Sequence, residues 1–313
     1  MKIYHTIFFL LVICLISAFP VFSQKKKEKA AVQPVTVKAN LLITDASNYG
    51  VSDIKQEDIK IYEDGVEQKI TYFAKKEPVL NLSLVIDNTG SMGTKLDEIL
   101  FAGSVIVSNL RPKDEAFVIR FVDSGKVEVI QEWTSNQDKL KYAIENMYIE
   151  GGQSAVLDAI YLAAGETLKR EQEDKSKRYA ILLISDVEEL NSYYEYDEVI
   201  KLFKDTDLQV FVLSYADGAV KNKKGATILG HKLALDTGGT IHNLARKHTR
   251  EELVEVLKKL IFELRSNYII GYTPTNQKRD DETRKLTVEV GDSAKGEKRN
   301  VLIRDGFTVP KEK

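Results

Sequence analysis

Leu80-Asn81-Leu82-Ser83-Leu84-Val85-Ile86-Asp87-Asn88-Thr89-Gly90-Ser91 is the stretch that decides the fold. A mostly apolar run stops abruptly at an aspartate and continues as a short loop of hydroxyl, amide and glycine residues. A near-continuous apolar run, rather than an alternating one, is the signature of a strand buried on both faces. The same signature returns at Tyr179-Ala180-Ile181-Leu182-Leu183-Ile184-Ser185, again followed by an aspartate, Asp186. Further strands are expected at Ala116 to Phe121, Val127 to Ile130, Leu208 to Ser214 and Thr240 to Asn243. Helical periodicity covers Lys95 to Leu110, Gln137 to Met147, Ala155 to Arg170, Glu195 to Lys204, Ile228 to Asp236 and Arg250 to Arg265. Buried strands alternating with amphipathic helices predict an α/β domain over 79–265. Its sheet is doubly wound, mostly parallel and covered on both faces.

Outward from this block the period changes. Residues 34–78 hold short alternating strands at Val35 to Leu41, Asp58 to Tyr62 and Val66 to Phe73, with Glu63-Asp64-Gly65 as a hairpin turn. Residues 266–313 are β again, at Asn267 to Tyr272, Arg284 to Val290 and Arg299 to Arg304. Neither segment can bury a face alone. The economical solution packs the two chain ends together as a small β-sandwich flanking the α/β domain.

The N-terminus reads as a targeting segment. Lys2 precedes an apolar run from Ile7 to Phe22, and the small-residue pattern places a cut after Ser23, giving a signal peptide of 1–23. An uncleaved anchor is the alternative reading, and Lys25, Lys26, Lys27 and Lys29 just beyond the cut oppose easy translocation. Residues 24–33 are polar and Lys-rich, as expected of a disordered leader. The N-terminal segment leads us to expect an exported chain, whether periplasmic, secreted or envelope-associated, and no later stretch is apolar and long enough to span a bilayer. Cys14 is the only cysteine, which leaves the remainder without disulfides or thiolate ligands. The formal charge of −2, from 45 basic and 47 acidic side chains, gives no broad basic surface for nucleic acid. Lys25 to Lys29 and Lys221 to Lys224 read as solvated tail and loop. Oligomeric state has no sequence signal.

In an open α/β sheet, ligands bind beyond the carboxyl ends of the strands. Three such places carry unusual chemistry: Asp87-Asn88-Thr89-Gly90-Ser91, Asp186, and Gly151-Gly152-Gln153-Ser154 before the helix at Ala155. Together they offer two carboxylates and three hydroxyls, the oxygen donors that Mg²⁺ or Mn²⁺ prefers and that Ca²⁺ also accepts. Glycines 90, 151 and 152 would let the backbone turn without strain. The plainer alternatives are that Asp87 and Ser154 are helix N-caps and Ser91 a turn hydroxyl.

Leu84-Val85-Ile86-Asp87-Asn88-Thr89-Gly90-Ser91-Met92 resembles the Asp-x-Ser-x-Ser segment of von Willebrand factor type A domains. Gly152-Gln153-Ser154-Ala155-Val156-Leu157-Asp158-Ala159-Ile160 is similar to their threonine loop, and Leu182-Leu183-Ile184-Ser185-Asp186 to their third metal-site strand. Leu110-Arg111-Pro112-Lys113-Asp114-Glu115 and Thr237-Gly238-Gly239-Thr240 look like family connections. Tyr62-Glu63-Asp64-Gly65 and Tyr268-Ile269-Ile270-Gly271-Tyr272-Thr273-Pro274 resemble a bacterial exported subgroup with β flanks. The resemblance implies a Rossmann-like fold and a metal-ion-dependent adhesion site. In that site Thr89, Ser91 and Ser154 supply hydroxyl oxygens and Asp87 and Asp186 supply negative charge. A carboxylate from a protein partner completes the coordination. Thr89 and Ser154 stand where the family commonly has serine and threonine, and both keep the hydroxyl. Val187 and Leu190 replace a commoner glycine and polar residue, which alters the rim.

Competing motifs have less support. There is no Gly-x-x-x-x-Gly-Lys-Ser/Thr loop and no Gly-x-Ser-x-Gly elbow. Asp87-Asn88-Thr89-Gly90 breaks the Asp-Thr-Gly triplet of aspartic proteases. His231, His242 and His248 are spread over separate elements. Tyr193, Tyr194 and Tyr196 either line the rim or cap a helix start. The reading is therefore a non-enzymatic, exported binding module with no catalytic or organic-cofactor residues. Its rivals are a metal-dependent hydrolase, with Glu188 or Glu189 as the base, and a structural envelope protein whose metal ties loops together.

Overall fold

The fold was obtained as a computed structural model describing residues 34–311 except 48, 52, 77, 175, 205, 216–222, 266, 294 and 310. The expected signal peptide, leader and Lys221 lie outside the described residues. The N-terminal strands are β1 (Val37–Asp45), β2 (Ile59–Glu63), β3 (Val66–Gln68) and β4 (Ile70–Lys76). The central block runs β5 (Leu80–Asp87), α1 (Leu96–Ser108), β6 (Glu115–Phe121), β7 (Val127–Thr134), α2 (Gln137–Glu145), α3 (Val156–Glu173) and β8 (Arg178–Ser185). It continues with α4 (Tyr196–Lys201), β9 (Gln209–Ser214), α5 (Lys223–Asp236), β10 (Ile241–Asn243) and α6 (Arg250–Arg265). The chain closes with β11 (Asn267–Tyr272), β12 (Thr283–Val290), β13 (Arg299–Leu302) and β14 (Gly306–Thr308).

The central sheet has the order β10-β9-β8-β5-β6-β7, parallel except for the antiparallel edge strand β7. Strand β5 is buried at every position, as its apolar run predicts. Leu82, Leu84 and Ile86 point to one face, where they meet α1, α2 and α6; Val85 points to the other, covered by α3, α4 and α5. The two polar residues in β5 are absorbed locally: Ser83 shares a 2.8 Å hydrogen bond with Thr167 of α3, and Asn81 Nδ2 donates to Glu115. Because β6 and β8 lie on opposite sides of β5, the strand order reverses there. Asp87 and Asp186 thus emerge from adjacent parallel strands at a topological switch point, where open α/β sheets form ligand crevices.

The two chain ends form a sandwich of two four-stranded sheets, β13-β1-β11-β4 and β14-β12-β2-β3. Its core joins Leu41, Ile43 and Ile61 to Ile270, Leu286 and Phe307. Arg284, almost fully buried, donates to Glu63 Oε1 at 3.1 Å, and Tyr272 Oη donates to Glu63 Oε2 at 3.0 Å. These bonds lock the first segment to the last.

Several expectations needed correction. The single strand expected from Val66 to Phe73 is two, β3 and β4, which pass from one sheet of the sandwich to the other. Strand β1 reaches Asp45 because it exchanges partners, pairing with β11 through Leu41 and with β13 from Leu42. Strand β14 was not anticipated. Lys223 and Lys224 belong to the first turn of α5 rather than a loop. Among the described residues no helix is long and apolar enough to cross a membrane.

Candidate metal-ion site

The loop after β5 does not enter α1 directly. It first makes a tight 3₁₀ turn, Gly90–Lys95, with Met92 anchored in the core. This turn folds Asp87, Thr89 and Ser91 onto one another. Asp87 Oδ1 accepts from the Thr89 amide at 3.0 Å and the Thr89 hydroxyl at 2.6 Å, and Thr89 Oγ1 lies 2.9 Å from Ser91 Oγ. The Ser91 side chain also stands near the Asp186 carboxylate, where it favours the ionised form. Asp87, Thr89 and Ser91 are therefore one hydrogen-bonded cluster, and Asp186 stands beside it.

Ser154 joins through its backbone. Its carbonyl accepts from the amides of Leu190 and Asn191, at 3.0 and 3.1 Å, which ties the 151–154 loop to the loop after Asp186. Its hydroxyl is buried and has no hydrogen-bond partner. The N-cap alternative for Ser154 fails, because α3 begins after Ala155 and is capped by other groups. Glu189 Oε2 accepts from the Leu157 amide at 2.9 Å, and Ser192 Oγ accepts from the Asp158 amide at 3.2 Å. Asp87 is likewise no cap of α1, whose N-cap position is Lys95.

The glycine expectation needs revision. Gly90, Gly151 and Gly152 are not among the glycines with positive φ. Gly152 is required for another reason: a Cβ there would stand 2.4 Å from Val122 Cγ1 and 3.1 Å from the Val122 carbonyl oxygen. The strained backbone lies elsewhere, at Val187, with φ of 59°. A β-branched residue in the left-handed region costs about 1–3 kcal/mol and persists only where its surroundings hold it. Val187 is held by complete burial and by a 2.7 Å bond from its amide to Ser185 Oγ.

Sequence reasoning missed four supporting residues. Ser185 donates to Asp87 Oδ2 at 2.5 Å; its only signal was a hydroxyl ending an apolar strand. Asn88 donates through Nδ2 to the Tyr148 carbonyl at 2.9 Å and accepts from the Glu150 amide at 2.9 Å, fixing the neighbouring loop. Asp158 accepts from the amides of Tyr193 and Tyr194 at 2.9–3.0 Å. Glu189 takes four donors: the amides of Leu157, Asn191 and Ser192 and the Ser192 hydroxyl.

The electrostatics follow from burial. Burial first, and then the charge of Asp186, raise the Asp87 carboxyl above the usual carboxylate range. Burial also raises Asp186, opposed by the nearby Ser91 hydroxyl and the bond from the Glu188 amide and reinforced by the charge of Glu188. Two buried carboxylates side by side favour a positive charge between or beside them.

The donor set fits a hard divalent cation. A hydroxyl has one proton. With Asp87 ionised, Thr89 gives its proton to Asp87. Ser91 can then donate to Thr89 Oγ1 at 2.9 Å, and the lone pairs left on the two hydroxyls are oxygen donors of the kind a hard cation accepts. The Ser154 hydroxyl, buried without a partner, is a further neutral oxygen with its lone pairs unused. Among the described residues no group of three or more His, Cys, Asp or Glu could hold a metal. Most donors in this cluster are hydroxyls, and only two are carboxylates.

The histidines are less scattered than expected. His231 and His242 share a pocket of about 250 Å³ with Glu263, on the side facing the sandwich, and His242 Nε2 lies 2.8 Å from Glu263 Oε2. His248 is elsewhere, 2.9 Å from Glu98. Of the tyrosines, Tyr194 stacks on Tyr161 of α3, Tyr196 donates to Asp236 at 2.6 Å, and Tyr193 is exposed.

Residues 82–188 match the model of the von Willebrand factor type A domain. An uncharacterised protein of Synechocystis sp. is 30% identical over 142 residues, which is 44% of this chain and 32% of that protein. The chain therefore spans less than half the length of that curated relative. Among solved structures, a conserved hypothetical protein BatB from Bacteroides thetaiotaomicron aligns with a TM-score of 0.47 at 17% identity, over 59% of this chain and 98% of that one. A von Willebrand factor type A protein from Catenulispora acidiphila aligns with a TM-score of 0.48 at 11% identity, over 88% and 73%.

Proposed function

Because the chain carries a von Willebrand factor type A domain, we propose that it is an exported binding protein that holds one divalent ion and uses it to capture a carboxylate of a protein partner. Thr89, Ser91 and Ser154 would hold the ion through neutral oxygens. Asp87 and Asp186 would balance its charge. Mg²⁺ or Mn²⁺ suits this donor set, and Ca²⁺ accepts the same oxygens. The bound ion would act as a Lewis acid that attracts an anionic oxygen. The protein's own part would be to tie the Thr89 hydroxyl proton to Asp87, so that the lone pairs of that oxygen face the ion. The carrying observation is the buried Ser154 hydroxyl without a partner, on a loop tied to the loop after Asp186. Export rests on the N-terminal sequence alone.

A binding role is favoured over hydrolysis by the state of the two candidate bases. Glu189 is occupied by four donors as the cap of α3, and Glu188 is buried beside Asp186. Neither is placed as an accessible base. The test is water-proton relaxation of the Mn²⁺-loaded protein. Loading should enhance relaxation, and a peptide bearing a carboxylate should reduce the enhancement by displacing bound water. Enhancement that no carboxylate alters would contradict the capture role.

A further inference from the structure

The two loops flanking the cluster carry large apolar side chains into solvent. Tyr148 is 55% exposed, Leu190 49% and Tyr193 79%. Isolated exposed apolar residues are ordinary, but these lie on loops bonded to the segments that flank the cluster. The Tyr148 carbonyl accepts from Asn88, next to Asp87 and Thr89. The Leu190 amide donates to Ser154, and the Tyr193 amide to Asp158 in the first turn of α3.

Both loops are stiff. The loop from Glu188 to Tyr194 is fixed by the four donors to Glu189, by the two amides on Asp158 and by the stacked rings of Tyr194 and Tyr161, 3.6 Å apart. Across the cluster, the Arg120 guanidinium lies over the Tyr148 ring at 4.6 Å, donates to Tyr148 Oη at 3.2 Å and pairs with Glu128. Glu150 forms a bridge beside Thr89 and pairs with Lys126. Rigid, exposed aromatic and aliphatic side chains lose little entropy on contact, which is what interface anchors require.

Resting on the metal-capture reading above, we propose that Tyr148, Leu190 and Tyr193 are an apolar rim around the ion. Their occupant is a protein segment that presents an isolated carboxylate next to a bulky apolar side chain. Charge complementarity selects that context. Exposed Glu195 and Asp197 lie two and four residues past Tyr193, and on the opposite side Arg120 in β6 and Lys126 in the turn after it are already paired with Glu128 and Glu150. An acidic tract would meet repulsion from the first loop and no spare cation on the second. A single acid with an apolar neighbour meets the ion and the rim together.

The test is selection of displayed random peptides on the full chain in Mg²⁺. Recovered sequences are then measured against the wild type, a Leu190→Ala/Tyr193→Ala variant and Asp87→Asn. Peptides whose binding needs Mg²⁺ should carry Asp or Glu beside a large apolar residue. The rim variant should weaken them about tenfold or more and leave Mg²⁺ affinity by calorimetry unchanged. Mg²⁺-dependent peptides that are polyacidic, or indifferent to the rim variant, overturn the proposal, as does recovery of no Mg²⁺-dependent peptide. The metal-capture reading fails separately, through absence of calorimetric Mg²⁺ binding or peptide binding unchanged in Asp87→Asn. Tyr148→Ala is the second rim variant, so that neither loop is judged alone.

Discussion

Ser185 Oγ lies 2.5 Å from Asp87 Oδ2, reaching across from the neighbouring parallel strand to the carboxylate at the end of β5. The same hydroxyl accepts from the Val187 amide. One side chain therefore positions the first aspartate and steadies the strained residue after the second. Removing the Ser185 hydroxyl would leave a buried carboxylate oxygen without its donor. Ser185→Ala should keep the fold and weaken Mg²⁺ affinity by about 10–100-fold, the usual effect of losing a group that orients a ligand. Calorimetry beside circular dichroism separates the two; unchanged affinity would mean that Asp87 is held without Ser185.

Gly152 is a steric test of the loop that carries Ser154. A methyl group at 152 meets the Val122 side chain and carbonyl oxygen, so the loop must shift. Gly152→Ala should lower metal affinity, whereas Gly151→Ala, whose added Cβ meets open space, should not. Equal behaviour of the two variants would separate Ser154 from the site.

The pH dependence of stability follows from the two raised carboxyls. Because burial lifts both Asp87 and Asp186 above their unfolded values, the folded protein holds more protons than the unfolded chain between those limits. The pair's contribution to the metal-free protein is therefore best at acidic pH and is lost as pH rises through the raised values. A divalent ion offsets this loss only when the carboxylates are ionised. Mg²⁺ should raise the Tm more at about pH 8 than at about pH 5. An equal shift at both would place the ion away from these aspartates.

The sandwich makes an independent prediction. Glu63 is buried between Arg284 and Tyr272. Glu63→Ala removes the buried carboxylate that Arg284 bonds, leaving only the longer contact to Asp280 at 3.8 Å, and should destabilise the protein by about 3–5 kcal/mol. Chemical denaturation measures this, with Glu63→Gln, which keeps acceptor capacity, expected to lose less. No loss for either variant would mean that packing alone joins the chain ends.

The sheet was legible because burial on two faces writes a continuous apolar run, as in β5 and β8. Asp87, Thr89, Ser91, Ser154 and Asp186 were legible as oxygen-bearing residues at strand ends. The support was not. Ser185 reads as strand, Asp158 and Glu189 as ordinary helix and loop acids, and Asn88 as a turn residue. Their roles come from bonds between residues 32 to 98 positions apart, which no local pattern encodes. The passage from β3 to β4 was hidden for a related reason. Both strands keep the same chemistry, and only their partners, β2 and β11, tell the sheets apart.

The central claim is that the cluster of Asp87, Thr89, Ser91, Ser154 and Asp186 holds a divalent ion. Calorimetric titration of Mg²⁺ and Mn²⁺ into the chelator-treated protein, beside Asp87→Ala, Ser154→Ala and Asp186→Ala, addresses it directly. The account predicts one-site binding to the wild type, abolished by either aspartate substitution and weakened by loss of the Ser154 hydroxyl. Binding that survives in both aspartate variants, or a wild type that takes up no ion, would contradict it.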